Sequence, residues 1–359
     1  VFHSGLSVGE RMDEWKRVRT GRAKIVVGTR SAVFAPVQNL GLIVMDEEQE
    51  STYKSESTPR YHARDIAKFR VNYNRAYCLL CSATPSVESY YMAQSGKYRY
   101  HALHHRYGDA VVPTVQLVDM NNEDLYRGKP MISMALARAV SENIRAGRQS
   151  ILLLNRRGYH TYAVCKDCKT VAACPNCSIS MTYHAANNRL MCHYCGHSEP
   201  AYVRCKACGG ELTFSGGGTQ KAEDQLREAF PEARILRVDT DTTANKYALE
   251  KKLNAFANGE YDIMIGTQMV AKGLDFENVT LVGVLSADQS LYSDDYRSNE
   301  RTFDLLTQVV GRAGRGRYRG TALIQTHVPE NPYLHLAAAQ DYESFFETEI
   351  RFRRAMLYP

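Results

Sequence analysis

The sequence predicts an α/β protein with two parallel-sheet lobes and a Cys-rich, metal-binding insertion in the second lobe. Three features carry that expectation: an apolar run ending in acids, Leu40 to Gln49 (L-G-L-I-V-M-D-E-E-Q); a helix–Gly–strand–Gly-Thr unit that occurs twice; and four C-x-x-C pairs between residues 165 and 208. The uninterrupted apolar run reads as a fully buried parallel strand that delivers Asp46 and Glu47 to its carboxyl end. In open α/β sheets that end is where ligands bind. One carboxylate there can hold Mg²⁺ through water while its neighbour orients an attacking water, as hydrolysis of a phosphate anhydride requires. An acidic helix cap would look the same in sequence.

The chain has 359 residues, enough for roughly two or three domains, and its 44% hydrophobic content supports ordinary globular cores. A net charge of +6 permits a polyanionic partner without proving one. No run of about 18 apolar residues and no charged-then-apolar leader is present, so no membrane partner and a cytoplasmic location are expected. The chain opens on Val1 and closes on R-F-R-R-A-M-L-Y-P, apparently in mid-element. A piece of a longer protein is therefore expected.

Taken in order, Val8 to Arg19 has helical spacing and ends before Gly21. Ala23 to Val27 reads as a strand that breaks at Gly28-Thr29-Arg30. The same pattern recurs far downstream: helix Leu249 to Asn258, Gly259, strand Asp262 to Ile265, then Gly266-Thr267-Gln268. Gly21 to Gly28 and Gly259 to Gly266 are both seven positions, and each unit leads into an apolar strand ending in Asp, at Asp46 and at Asp288. Backbone amides of each Gly-Thr loop can hold a phosphate, so two loops suit successive phosphates of one nucleic-acid strand.

The polar segment Ser51 to Asp65 interleaves Tyr53, Lys54, Arg60 and Tyr61, rings for bases and cations for phosphates, although a solvated connection has the same composition. Ala76 to Cys81 is the next buried strand, opening on Ser82-Ala83-Thr84-Pro85. Cys78 and Cys81 read as core cysteines, since strand positions three apart face opposite ways. Pro113 fits a linker, after which come a helix from Ser133 to Arg145 and the strand Ile151 to Leu154.

The pairs Cys165/Cys168, Cys174/Cys177, Cys192/Cys195 and Cys205/Cys208 can each place two thiolates on a tetrahedral Zn²⁺, so eight thiolates imply two structural zinc ions. Disulfides fit an apparently intracellular chain poorly. Spacing does not fix which pairs share a metal. The nested choice puts Cys165, Cys168, Cys205 and Cys208 on one ion and Cys174, Cys177, Cys192 and Cys195 on the other, because the insertion must leave and re-enter its lobe at nearby points. With few apolar residues, the block should unfold without metal. The lobe is expected to resume at Leu212 to Ser215. Further on, A-K-G-L-D-F (Ala271 to Phe276) and Q-V-V-G-R-A-G-R (Gln308 to Arg315) complete the pattern, with Arg312 and Arg315 on one face if helical. Guanidinium groups there suit a γ-phosphate. Arg351, Arg353 and Arg354 read as a solvated helix face.

D-E-E-Q, S-A-T-P, G-T-Q-M-V-A-K-G-L-D-F and Q-V-V-G-R-A-G-R resemble motifs II, III, V and VI of superfamily 2 helicases. With four C-x-x-C pairs after N-R-R-G-Y, the chain is similar, over essentially all its length, to the bacterial PriA family of replication-restart helicases. The resemblance implies two RecA-like parallel-sheet helicase lobes, with ATP and Mg²⁺ as well as two structural Zn²⁺. It implies that Asp46 holds Mg²⁺, that Glu47 polarises water, and that Gln308, Arg312 and Arg315 sense the γ-phosphate. Gly273 and Asp275 would face the nucleotide, and Ser82, Ala83 and Thr84, with Gln49, would couple hydrolysis to movement. Gly28, Thr29, Arg30, Tyr53, Lys54, Arg60, Tyr61, Gly266, Thr267 and Gln268 would meet DNA. The family translocates 3′→5′ on single-stranded and forked DNA and works with single-strand-binding protein, primosomal proteins such as PriB and DnaT, and the replicative helicase and its loader.

The domains implied are residues 1–108, the first lobe; 109–160, the start of the second; 161–211, the zinc insertion; 212–330, the rest of the second lobe; and 331–359, the start of a C-terminal domain. Two departures stand out. Gln49 replaces the family's usual His, and no G-x-x-x-x-G-K-[S/T] loop is present. That loop is expected upstream, and the chain alone is expected to hydrolyse ATP negligibly. A zinc-held DNA-binding scaffold with a silent motor, or another superfamily 2 translocase, is the rival reading.

Overall fold

The computed structural model describes residues 1–3, 5–103, 112–154, 161–168, 170–176, 181–184, 187–192, 195–215, 219–239, 248–267, 270, 276–291, 295–314 and 318–358. The chain forms two compact units, Val1–His101 and Ala102–Pro359.

In the first unit, helix α1 (Val8–Arg19) starts on a capping box: Ser7 accepts from the Glu10 amide while the Glu10 carboxylate accepts from the Ser7 amide. The helix ends at Thr20, ahead of left-handed Gly21. The strand expected at Ala23 to Val27 does not form. Its place is taken by a single parallel bridge, Phe2 to Gly28, flanked by bonds from the Phe2 amide to the Val27 carbonyl and from the Thr29 amide to the Phe2 carbonyl. With so little pairing, apolar Ile25 is left 85% exposed.

Strand β1 (Leu42–Met45) pairs in parallel with β2 (Tyr77–Leu80) through the crossover helix α2 (Ala63–Asn74), and α3 (Val87–Gln94) follows. The expectation of a fully buried strand fails on one face. Met45 is buried with Ala63 and Ala67 of α2, and Ile43 packs against them, whereas Leu42 and Val44 are each 53% exposed. Residues alternate faces along a strand, and among the described residues α2 covers only one of them. Cys78 is half-buried against that same apolar cluster and Cys81 is half-buried, with burial the main cause of their raised thiol pKa values.

The second unit is built on a six-stranded, wholly parallel sheet. In chain order its elements are β3 (Thr114–Asp119), α4 (Met134–Arg145) and β4 (Gln149–Leu154), then the Cys-rich block with β5 (Thr161–Cys165), β6 (Thr182–His184), β7 (Arg189–Met191), β8 (Ser198–Pro200) and β9 (Leu212–Ser215). There follow α5 (Thr219–Ala229), β10 (Ile235–Val238), α6 (Ala248–Ala257), β11 (Ile263–Gly266), β12 (Val279–Ser286), α7 (Asp288–Leu291), α8 (Ser298–Val310), β13 (Thr321–Thr326), α9 (Pro332–Ala339) and α10 (Tyr342–Ala355). The strand order is β10-β11-β4-β12-β13-β3. All of β4 is buried, as a continuous apolar run in a parallel sheet demands. Leu136, Val140, Leu226 and Phe230 from the helical side join Leu152, Ile263 and Leu281 in its core.

Two expectations are corrected here. Leu212–Ser215 does not join the parallel sheet: it pairs antiparallel with β5, closing a separate five-stranded sheet of order β8-β7-β6-β5-β9. Arg353 is not on a solvated face. It is 1% exposed and donates to Glu300 of α8 at 2.8 Å and to Glu349 at 2.9 Å, while Phe303 stacks on Phe345 at 4.2 Å beside it. Packing of α10 on α8 encloses a charge whose periodicity looks solvent-facing.

Candidate functional site

β1 delivers the acid box to a tight turn at its carboxyl end, with Asp46 and Glu47 exposed. Glu47 takes a left-handed backbone (φ 48°), unusual for a residue with a Cβ and a form of strain that concentrates at working sites. Its amide donates to the Asp46 carboxylate at 3.1 Å. The Gln49 amide nitrogen donates to the Glu47 carboxylate at 2.7 Å, and the Gln49 amide oxygen accepts from the Ser82 hydroxyl at 2.6 Å. Ser82 in turn accepts from the Thr84 amide at 2.9 Å. The acid box and the S-A-T-P segment, far apart in sequence, are therefore joined through one neutral side chain. Gln49 can donate and accept at once, which suits it to this bridge. Ala83 is exposed and Thr84 buried.

A cavity of about 830 Å³ in the same unit is lined by Asp46 together with Thr29, Arg30, Tyr53 and Tyr61, and also by Trp15 and Phe34. The Tyr53 hydroxyl donates to the Asp46 carbonyl at 2.8 Å, and burial, then the neighbouring Asp46 charge, raises its pKa. Arg30 commits one guanidinium nitrogen to the loop carbonyls of Thr52 (3.0 Å) and Lys54 (2.6 Å) and lies 5.8 Å from the centre of the Tyr61 ring. The structure thus gathers Thr29, Arg30, Tyr53 and Tyr61 beside the acid box. Lys54 and Arg60 are exposed on the loop itself.

Both Gly-Thr glycines have a packing reason. A Cβ on Gly28 would lie 2.2 Å from the Phe2 carbonyl oxygen, and one on Gly266 would lie 2.3 Å from that of Val238. Each ends an extended segment where a parallel neighbour comes too close for any side chain. Thr267 follows half-buried. Gln308 lies in the last turn of α8, and Arg312 lies past its end, in a turn. Gly311 caps the helix, and left-handed Gly314 packs so tightly on Gly320 that a Cβ would sit 2.3 Å from the Gly320 nitrogen. Gln268, Gly273, Asp275, Arg315 and Cys177 lie outside the described residues.

In the Cys-rich block, Cys165, Cys168, Cys205 and Cys208 form one group with sulfurs all within 4.8 Å, and Cys174, Cys192 and Cys195 form another. The Sγ separations are 3.4 Å for Cys165–Cys208 and 3.6 Å for both Cys168–Cys205 and Cys174–Cys195. Tetrahedral zinc with bonds of about 2.3 Å needs sulfurs about 3.8 Å apart, so the thiols fit the ion. Turns at left-handed Gly196 and Gly209 shape the knuckles, and the amides of Ala207 and Gly210 each donate to sulfur at 3.4 Å. Hydrogen bonding from Thr170 first of all lowers Cys168 to about 6. Cys208 rises to about 12, since the opposing bond from the Gly210 amide is outweighed by thiol contacts to Cys168 and Cys165. Four of the nine residues in the block's core are these cysteines.

Sequence reasoning missed Glu48, which looks like its two acidic neighbours but is only 2% exposed. It is paired with Arg64, and the clue available was an arginine just after a polar loop that follows three acids.

Residues 2–92 match the DEAD/DEAH box helicase family, 212–317 the helicase conserved C-terminal domain, and 174–200 the PriA DNA helicase Cys-rich region (CRR) domain. Replication restart protein PriA of Bacillus subtilis is 50% identical over 360 residues, covering all of this chain and 45% of that protein. The Synechocystis protein of the same name is 42% identical and that of Haemophilus influenzae 39%, covering 44% and 49% of their lengths. A solved structure of RecG bound to a three-way DNA junction is similar at TM-score 0.49 and 14% identity, over 97% of this chain and 35% of that one. The chain spans about half the length of the curated relatives it matches. An end-to-end match of this strength, with the family's own Cys-rich region set between two helicase segments, means that the chain belongs to the PriA family of replication restart helicases.

Proposed function

We propose that the protein is an ATP-dependent 3′→5′ DNA helicase that recognises stalled or branched forks and restarts replication by assembling a primosome. The observation that carries this reading is the hydrogen-bonded chain Glu47–Gln49–Ser82 beside a cavity that Asp46 shares with Arg30, Tyr53 and Tyr61. Asp46 would hold the Mg²⁺ that accompanies ATP, and that ion would supply charge neutralisation at the phosphates. Glu47 holds and polarises the attacking water, and Gln49 reports its state to Ser82-Ala83-Thr84. Gln308, Arg312 and Arg315 would stabilise charge developing on the γ-phosphate, and Gly273 and Asp275 are proposed to contribute to nucleotide binding. Gly28, Thr29 and Arg30, the loop with Tyr53, Lys54, Arg60 and Tyr61, and Gly266, Thr267 and Gln268 track the DNA strand.

The two cysteine groups would be closed by structural Zn²⁺, the second with Cys177 as its fourth ligand. Domain limits at 108, 160, 211 and 330 remain the working division, except that β9 belongs with the zinc sheet. Single-strand-binding protein, PriB- and DnaT-like primosomal proteins and the replicative helicase with its loader are the proposed partners. A cytoplasmic location is proposed with it. No helix among the described residues is long and apolar enough to cross a membrane. The test uses full-length protein on forks bearing a 3′- or a 5′-recessed single-stranded arm. ATP-dependent unwinding of opposite polarity, or none, would defeat the proposal.

A further inference from the structure

Behind the exposed acids lies a buried polar knot that catalysis does not use directly. Glu48 is 2% exposed, and the Arg64 side chain is 15% exposed. One oxygen of Glu48 accepts from the Ser86 amide at 2.7 Å. The other accepts from Arg64 at 2.8 Å, from the Ser89 hydroxyl at 3.0 Å and from the Ser86 hydroxyl at 3.3 Å. The knot ties together three segments: the acid-box turn, the first turn of α2, and the start of α3 just after S-A-T-P. The Glu48 amide also donates to the Cys81 carbonyl at 3.1 Å.

Arg64 is placed to feel the aromatic loop. Its amide donates to the His62 ring at 3.2 Å, His62 bridges to Lys54, and the Ser55 amide donates to the Tyr61 carbonyl at 2.8 Å. A loop closed on itself in this way cannot shift without pulling the base of α2. Glu48 follows Glu47 directly, where the backbone is already left-handed, so a small movement of Glu48 re-aims the Glu47 carboxylate. Arg64 Nε, at the knot, and Thr84 Oγ1, two residues before Ser86, are buried donors with no hydrogen-bond partner among the described residues. Orphaned buried donors are rare and need a reason, and a second arrangement that satisfies them is one.

We propose that Glu48 is a positioning residue: its buried pair with Arg64 passes the state of the loop at residues 51–62 to Glu47, so that DNA on the loop sets the rate at the water. This rests on the motor reading above, with the loop as a DNA contact.

The test measures ATP hydrolysis by full-length protein against concentration of forked DNA, for wild type, Glu48→Gln and the milder Arg64→Lys, with DNA affinity measured in parallel. Either variant, whichever folds, should keep its DNA-free rate within about twofold and its DNA affinity unchanged. Its DNA-stimulated kcat should fall roughly 10- to 100-fold, the cost of a small misplacement at a reacting centre. Amide exchange in residues 82–86 should become insensitive to DNA in the variants. Basal and stimulated rates falling in parallel, or a stimulation ratio equal to wild type, would overturn the proposal and leave Glu48 merely structural. A wild type with no DNA stimulation at all would instead overturn the motor reading, and this inference with it.

Discussion

Replacing Cys165, Cys168, Cys205 and Cys208 together by Ser tests the nested metal arrangement. Their sulfurs form one group, separate from that of Cys174, Cys192 and Cys195. If the pairs instead shared metals in sequence order, the same four substitutions would strip two ligands from each site and destroy both. Nested sites predict that metal content falls from two ions per chain to one. The energetic consequence is local but large. Apparent binding free energies of structural zinc are on the order of 10 to 16 kcal/mol, and the replaced residues include two of the nine in the block's small core. The β5–β9 pairing, which holds Cys165 opposite Leu212, should open, while the parallel sheet centred on β4, with its own apolar core, persists. Metal analysis of purified full-length protein, with limited proteolysis to locate the loosened segment, reads both effects. Loss of both metals, or retention of both, would refute the nested arrangement.

Other perturbations follow from single contacts. Arg353→Ala leaves Glu300 and Glu349 buried without their cation and should destabilise the second unit by about 3–5 kcal/mol, read by denaturant unfolding. Gly314→Ala puts a Cβ 2.3 Å from the Gly320 nitrogen in a left-handed turn, and should cost more than about 1 kcal/mol and weaken ATP hydrolysis through the Arg312 turn. Gln49→Leu breaks the link between Glu47 and Ser82 and should lower DNA-stimulated ATPase about tenfold, while Gln49→His retains most of it. Hydrogen bonding from Arg234 lowers the Asp262 pKa. The stability this contributes is present above the unfolded pKa and lost as pH falls through the depressed folded value. Wild type should therefore exceed Asp262→Asn modestly at neutral pH and converge with it in acid, as thermal unfolding across pH would show.

Much of this was legible because apolar runs and glycine stops are local signals. Helical spacing and Gly21 mark both ends of α1, and β4, β11 and β12 each coincide with an apolar run. What failed depends on partners, which no local pattern names. Ala23 to Val27 has strand composition but only one bridge, and Leu212 to Ser215 has strand composition but a different sheet. Charge patterning misjudged Arg353 because burial comes from α8, about fifty residues earlier. Glu48 receives no role from the sequence, because nothing in D-E-E-Q says which carboxylate turns inward. The cysteine block was read better, since metal geometry leaves few arrangements. The resemblance groups Gln49 with Ser82, Ala83 and Thr84, but the bonds it makes depend on the fold setting the S-A-T-P segment beside the acid box.

The most direct measurement is ATP hydrolysis by the full-length protein with and without forked DNA, comparing wild type with Glu47→Gln. A DNA-driven motor with its water-orienting carboxylate at Glu47 predicts strong fork stimulation in wild type and a loss on the order of 10²- to 10⁴-fold in the variant, with fork binding preserved. Fork binding without hydrolysis in either protein, or hydrolysis indifferent to the substitution, would contradict it.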